Sequence, residues 1–515
     1  MNKEKWFIKN GIILTVLSAI IALTSALKEV VFANYFGVSE QADAYTIALL
    51  LPETLFAVVW NALNAILVPK YSEVLYNQGK ERARQFIRVF FTAVCVITLS
   101  FVLLSEGIAD LWVYLFAPGF TPEMHTLTVQ LVRWLFPMLF FEGIMRVCAG
   151  IMQVNNIFSV SKALVMIRNV GVSVFLFAFS YRFGIFAAAY GLLTGVIIET
   201  VISWIYTRKF ESLRPNWNFK DPDLLQAGKQ AIPIIIGAGV NEINLLADKM
   251  TASFLDAGSM AALNYASKLE VIITTTILVN AVSIVFPAIS EHVAKGETSE
   301  VSRIYERTVK LILLLSIPIA MGGAVLGGDI IRVAFARGAF DEAAALIVSP
   351  LFSVYLFAAV FGTVRNTTVN VFAAYGRTKA IMNNTIISVI INVALNILLS
   401  WLLGAIGLAL ATCIAVVTAN FLLMQKVSKE LFPVNFKGIL LLFAKSLIAA
   451  AVMVAAVWLT RTTFISLFGM DTTLQQVIGI GLGVIAGVIV YAACLIALRT
   501  GEFKALLKLV LNRRG

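Results

Sequence analysis

The chain has 515 residues, of which 60% are hydrophobic and only 13% charged, with a mean hydropathy of +0.89. A water-soluble protein of that balance would lack the polar surface to stay dispersed. Forty lysines and arginines against 29 acids give a net charge of +11, yet the cations are scattered along the chain, so the excess is no nucleic-acid footprint. Two histidines, His125 and His292, and four cysteines, none at ligand spacing, argue against a metalloenzyme and against a disulfide framework.

About 20 apolar residues cross a hydrocarbon core as a helix, because each backbone polar group must then be satisfied internally. Fourteen segments meet that length, near 12–34, 46–68, 89–109, 127–150, 158–180, 184–206, 230–253, 268–288, 310–328, 346–372, 382–402, 405–425, 439–460 and 475–498. The expected fold class is an all-α polytopic membrane protein. Lys3, Lys5 and Lys9 precede the first span; Lys80, Arg82, Arg84 and Arg88 follow the second. Arg208, Lys209 and Arg214 follow the sixth, Arg303, Arg307 and Lys310 the eighth, and Arg513 and Arg514 close the tail. Odd-numbered connections carry only Arg182, Arg332, Arg337 and Arg461. By the positive-inside rule both termini are cytoplasmic. The first span is too long for a signal-peptide core and is expected to be retained.

Two stretches repeat. Pro69, Lys70, Tyr71, Ser72 and Glu73 close span two, and Pro287, Ala288, Ile289, Ser290 and Glu291 close span eight, 218 residues on. Ala33, Gly37 and Tyr45 precede the first; Ala252, Gly258 and Tyr265 precede the second; Gly79 and Gly296 follow. Six spans per copy means that the copies share orientation, the parallel-repeat architecture of many transporters. The expected organisation is a six-helix lobe over 1–206, a cytoplasmic linker over 207–229, a second six-helix lobe over 230–425, and two further helices with a tail over 426–515. Residues 501–515 alternate apolar and basic side chains, the pattern of a short helix lying on an anionic leaflet.

Charges within spans cost about 2.5–3.5 kcal/mol each at a helix centre, so they face protein, water or an interface. Lys28, Arg133, Arg146, Arg168, Lys249, Lys268 and Arg365 are the cations in question. Glu142 and Arg146, four apart, are spaced for an intrahelical ion pair. Lys28 and Lys268 sit in corresponding halves. Two readings stand for them: a pair of cations aimed at a phosphate or pyrophosphate group, or snorkelling to the interface. Asp248, Asn392, Asn396 and Thr412 offer oxygen donors only, suited either to a hard cation such as sodium or to interhelical hydrogen bonds.

The stretch EVVFANYFGVSEQADAYTIALLLPE with VPKYSE, and the later DKMTASFLDAGSMAALNYASKLE with FPAISE, resemble the MurJ/MviN lipid II flippases. That resemblance implies a multidrug/oligosaccharidyl-lipid/polysaccharide exporter fold of 14 transmembrane helices, two parallel six-helix repeats plus two C-terminal helices that form a groove for a polyprenyl tail. It implies alternating-access movement of a polyprenyl-pyrophosphate-linked peptidoglycan precursor from the inner to the outer leaflet, without covalent catalysis. It places the substrate-binding residues on Lys28, Glu29, Asp43 and Lys268, and a sodium site on Asp248, Asn392, Asn396 and Thr412, with sodium as coupling ion. The partners implied are the lipid-linked saccharide, bilayer lipids and cell-wall synthesis proteins, in the bacterial inner membrane. Phe56 and Asn61 depart from the family, which has an arginine and an acid there. Another lipid-linked oligosaccharide is the first alternative substrate, and a MATE-like drug antiporter the second. A glycosyltransferase would need a large outer loop, whereas the longest are near 110–126 and 329–345.

Overall fold

The computed structural model describes residues 3–155, 157–274, 280–470 and 472–504, and among them every regular element is a helix. The chain divides by contact into two compact units, Met1–Ala261 and Ala262–Gly515. The first unit holds α1 (Lys3–Phe36), α2 (Glu40–Asn77), α3 (Lys80–Gly107), α4 (Ala109–Phe116), α5 (Pro122–Leu135), α6 (Met138–Val154), α7 (Phe158–Phe183), α8 (Phe186–Thr207) and α9 (Pro222–Ala252). α10 (Ser259–Thr274) begins at its end. The second holds α11 (Asn280–Ala294), α12 (Thr298–Phe335), α13 (Glu342–Ala374), α14 (Thr378–Leu403), α15 (Ala405–Glu430), α16 (Phe436–Phe468) and α17 (Thr473–Ala497).

Helix starts follow local chemistry. Ser39, Thr121, Asp221, Asp341 and Asn435 each accept a backbone N–H of the turn they open, and Thr472 with Gln475 completes a capping box. The chain leaves α14 through Gly404 at φ +59°, a left-handed conformation that favours glycine. Gly407 follows so close to Leu399 that a Cβ would lie 1.9 Å from its carbonyl oxygen. Prolines lie inside helices at Pro52, Pro69, Pro233, Pro287, Pro318 and Pro350, and the Leu314 carbonyl that Pro318 frees accepts the Tyr491 hydroxyl of α17 at 2.9 Å.

Eleven helical stretches among the described residues are long and apolar enough to cross a bilayer. One of them, Thr378–Glu430, carries two of the sequence-predicted spans, separated at Gly404. The predicted spans near 230–253 and 268–288 are not among the eleven. The first lies on α9, several of whose residues fall outside the described side chains; the second falls on α10 and α11, with residues 275–279 outside the described set. The connection near 110–126 is more ordered than its loop-like sequence implied: it contains α4 and the start of α5. Near 329–345, α12 continues to Phe335, its last turns tied by Asp329 to Arg332 and to Arg461 of α16, while Arg332 also grips Glu342 at the start of α13. Of the predicted surface helix, residues 505–515 lie outside the described residues; just ahead of them Glu502 pairs with Lys310 at 3.0 Å.

The repeat stretches share local geometry. Gly79 and Gly296 both take positive φ immediately ahead of α3 and α12, Tyr45 and Tyr265 are both buried, and Pro69 and Pro287 both lie inside helices. The first copy differs at its exit. Lys70 is buried and paired with Asp223 at 3.1 Å, and Tyr71 donates to Glu211 at 3.1 Å. Arg82 holds Asp221 through both terminal nitrogens at 2.6 and 2.8 Å, and Arg88 donates to the Ser212 carbonyl at 3.0 Å. The segment between α8 and α9 is thereby strapped to the ends of α2 and α3. Burial alone would raise the Asp221 carboxyl, but the Arg82 hydrogen bonds and charge outweigh it and hold that group below the ordinary carboxylate range.

Candidate substrate and cation sites

Lys28 and Glu29 are neighbours on α1, which packs along α7. Their side chains form an ion pair at 3.2 Å, with Lys28 19% exposed and Glu29 buried. One turn earlier Thr24 accepts from Asn169 of α7 at 3.3 Å, fixing the register of the two helices. Lys28 is therefore a partly neutralised cation at the edge of a packed wall. Phe56, where the resemblance implied an arginine, is buried against Trp60 and Phe101, with ring centroids 5.0 and 4.6 Å away. Asn61 is exposed.

Asp43 stands in the first turn of α2 and is only 3% exposed. Its two carboxylate oxygens accept the backbone N–H groups of Gly258 and Ala261, each at 2.7 Å. A carboxylate at a helix N-terminus satisfies orphan donors and complements the helix dipole. Both oxygens are thus engaged by the opening turn of α10, a relation that the sequence, with more than 200 residues intervening, does not display. Lys268, further along α10, is exposed and has no ion-pair partner among the described residues. Glu270 is occupied locally, accepting from Thr274 at 2.8 Å.

The expected Glu142–Arg146 ion pair is not formed. Glu142 instead pairs with Arg168 of α7 at 2.6 Å and accepts from Trp60 Nε1 at 3.1 Å. Arg168 reaches Glu199 of α8 with its other terminal nitrogen at 3.1 Å. The planar guanidinium can serve two carboxylates at once from a neighbouring helix, which Arg146 on the same helix as Glu142 does not match. Gly195 makes this possible: a Cβ there would lie 2.9 Å from the Arg168 Cα, so α8 approaches α7 closely just where Glu199 must meet Arg168. Glu199 was missed in the sequence, though an acid in span six and an arginine in span five were both signals of a buried pair.

Asn392 and Asn396 on α14 and Thr412 on α15 are brought together. Asn396 Nδ2 donates to Asn392 Oδ1 at 3.0 Å, and Asn392 Nδ2 donates to Thr412 Oγ1 at 3.3 Å. Both amides are buried. This is an interhelical hydrogen-bond chain whose oxygens also suit a hard cation. Asp248 lies on α9 in the other unit, half-buried. No group of three or more His, Cys, Asp or Glu side chains among the described residues is placed to hold a metal.

A helical chain of many apolar spans, with prolines inside its helices and charges collected on internal faces, is a multi-pass membrane transporter. The family model for the lipid II flippase MurJ matches residues 32–479, and the chain belongs to that family. The probable lipid II flippase MurJ of Rickettsia prowazekii (strain Madrid E) is 26% identical over 490 residues, covering 94% of this chain and 96% of that relative. The probable lipid II flippase MurJ of Buchnera aphidicola subsp. Schizaphis graminum (strain Sg) is 25% identical over 443 residues, 85% of each. Among solved structures, the lipid II flippase MurJ in an inward closed conformation superposes with TM-score 0.81 at 25% identity, covering 95% of this chain and 99% of that one. An inward-facing multidrug resistance MATE family transporter of the MOP superfamily reaches TM-score 0.60 at 14% identity over 80% of this chain, a likeness of fold alone. The chain is accordingly a multi-pass inner-membrane protein.

Proposed function

We propose that this chain moves lipid II, a polyprenyl-pyrophosphate-linked peptidoglycan precursor, from the inner to the outer leaflet by alternating access, with both termini cytoplasmic. Family membership supports the substrate class. The single structural observation that carries the reading is Lys268, an exposed cation on α10 without an ion-pair partner among the described residues, while Glu270 on the same helix is engaged by Thr274. A lysine so placed in hydrocarbon is costly; facing a water-filled path, it meets the anionic headgroup. Lys28 is the second cation, released from Glu29 when pyrophosphate competes for it. Lysines are flexible point charges, so the headgroup is held with less geometric definition than an arginine fork would give. Asp43 serves the cycle by fixing the start of α10 and Glu29 by holding Lys28 in reserve. Sodium at Asn392, Asn396 and Thr412 is the proposed coupling ion. α16 and α17 carry the polyprenyl tail, and cell-wall synthesis proteins supply and consume the substrate.

The test is outer-leaflet accessibility of lipid II in bacteria depleted of their own flippase and supplied with this chain. Restored accessibility that is lost with Lys268→Ala and weakened with Lys28→Ala, at equal membrane levels, is the expected result. Full transport by Lys268→Ala would remove that lysine from the mechanism. No restoration despite membrane insertion would turn the reading to another lipid-linked oligosaccharide.

A further inference from the structure

The segment between α8 and α9 sorts its side chains by face. Glu211, Leu213 and Asp221 are buried, and the two acids are spent on Tyr71 and Arg84 and on Arg82. What remains outside is basic and aromatic. Arg208, Lys209, Arg214 and Lys220 are exposed without an ion-pair partner among the described residues, and Trp217 and Phe219 are 68% and 39% exposed. The exposed acids at the adjoining ends of α2 and α3, Glu73 and Glu81, are paired with Lys70 and Arg84. The outer face of the segment therefore carries positive charge and no exposed acid of its own. Its aromatic tip is held in shape: the Phe219 N–H donates to the Trp217 carbonyl at 2.9 Å, the Asn218 N–H donates to the Asn216 side-chain oxygen at 3.2 Å, and the two rings meet edge to face with centroids 5.9 Å apart.

The depth of the tip is fixed as well. Arg88 donates to the Ser212 carbonyl at 3.0 Å, and the Thr92 hydroxyl accepts the Asn216 N–H at 2.8 Å. Arg88 is the last charge on α3 before an uncharged stretch over 89–105, so the residue ahead of Trp217 lies about one helical turn inside the apolar part of α3. On α8 the same boundary is marked by Trp204 and Tyr206, with Arg208 and Lys209 over their rings at 4.7 and 4.9 Å. Aromatic side chains with a polar edge collect at the membrane–water interface, and cations beside them reach the headgroups. We infer that the outer face of this segment is a docking surface for the anionic phospholipids of the inner leaflet, with Trp217 and Phe219 among the glycerol groups and upper acyl chains and Arg214 and Lys220 on the phosphates. The two cations flank the two rings in sequence, so charge and apolar contact act on one patch. Each base near an anionic surface adds about fivefold to partition toward it. The choice of the inner leaflet rests on the orientation proposed above; the contact with anionic lipid does not. Because the buried acids behind the patch are tied to α2 and α3, lipid held here is held against the inner ends of those helices.

The test uses the full chain reconstituted in mixed bilayers of phosphatidylcholine and phosphatidylglycerol, with one lipid or the other brominated on its upper acyl carbons. The fluorescence difference between wild type and Trp217→Phe isolates Trp217 from the remaining tryptophans. That difference is expected to be quenched by both brominated lipids, and at least about twofold more by phosphatidylglycerol than by phosphatidylcholine at equal mole fraction and low salt. Arg214→Gln combined with Lys220→Gln, two exposed positions without ion-pair partners among the described residues, is expected to abolish the excess while leaving the quenching itself, and high salt to shrink it. Quenching by aqueous acrylamide but by neither brominated lipid would overturn the inference, turning the patch toward water or a soluble acidic partner. Equal quenching by the two lipids, or an excess indifferent to the double substitution, would overturn the assignment to anionic lipid. Both leaflets of such bilayers hold the same lipids and no transport is read, so these outcomes are independent of the orientation and of the movement of lipid II.

Discussion

Replacing Asp43 separates two roles that an acid at this position can have. In the structure its oxygens receive two backbone N–H groups at 2.7 Å each, out of reach of solvent. A hydrogen bond to a charged group contributes about 1.5–3 kcal/mol, and stranding its buried partner costs a similar amount. The two bonds share one carboxylate and do not add, so Asp43→Ala is expected to destabilise by about 3 kcal/mol. Asp43→Asn keeps one acceptor oxygen but loses the charge, for about half that cost. For a unit of this size, 3 kcal/mol lowers the midpoint by on the order of 6–12 °C. Thermal unfolding in detergent, followed by intrinsic fluorescence, reads the shift. Lipid II accessibility, normalised to folded protein well below the midpoint, reads transport. The expected order in stability is wild type, Asn, then Ala, with the Asn variant still transporting. An Asn variant with an unchanged midpoint and lost transport would refute the capping argument and return Asp43 to the substrate path.

Three further outcomes follow from other sites. Arg168→Met leaves Glu142 and Glu199 buried without their shared partner, at an expected cost of about 3–5 kcal/mol; the folded fraction in membranes should fall sharply, and a normal yield would mean that the carboxylates are protonated. Asp221 is depressed in the folded chain, so its contribution is fully present above the unfolded value of about 3.9 and is lost as pH falls through the lower folded value. Proteolytic nicking of the segment over 208–221 should therefore rise in acid for the wild type but be high and less pH-dependent for Asp221→Asn. If sodium couples transport, Asn392→Leu should remove the sodium dependence of lipid II accessibility; an unchanged dependence would confine the amide chain to packing.

Much of the architecture is legible in the sequence because hydrocarbon imposes a length and an apolarity that hardly depend on neighbours. The helices covering the predicted spans, the glycines at Gly79 and Gly296, and the juxtaposition of Asn392 with Asn396 all come from local spacing. What spacing does not carry is lateral choice. Glu142 has Arg146 one turn away, but its partner is Arg168, because Trp60 and Glu199 converge on the same place from other helices. Asp43 has the composition of a ligand-binding acid, and only the chain's return to Gly258 shows where its oxygens go.

The Arg168 junction also bears on how the chain is made. Glu142, Arg168 and Glu199 belong to three successive helices, α6, α7 and α8, and emerge from the ribosome in that order. When α6 is complete, Glu142 has Trp60 of α2 as a donor, but the arginine that pairs with it in the finished protein has not yet been made. Glu142 gains its ionic partner only with α7, and Arg168 its second carboxylate only with α8, so the junction is completed by the last of the three helices.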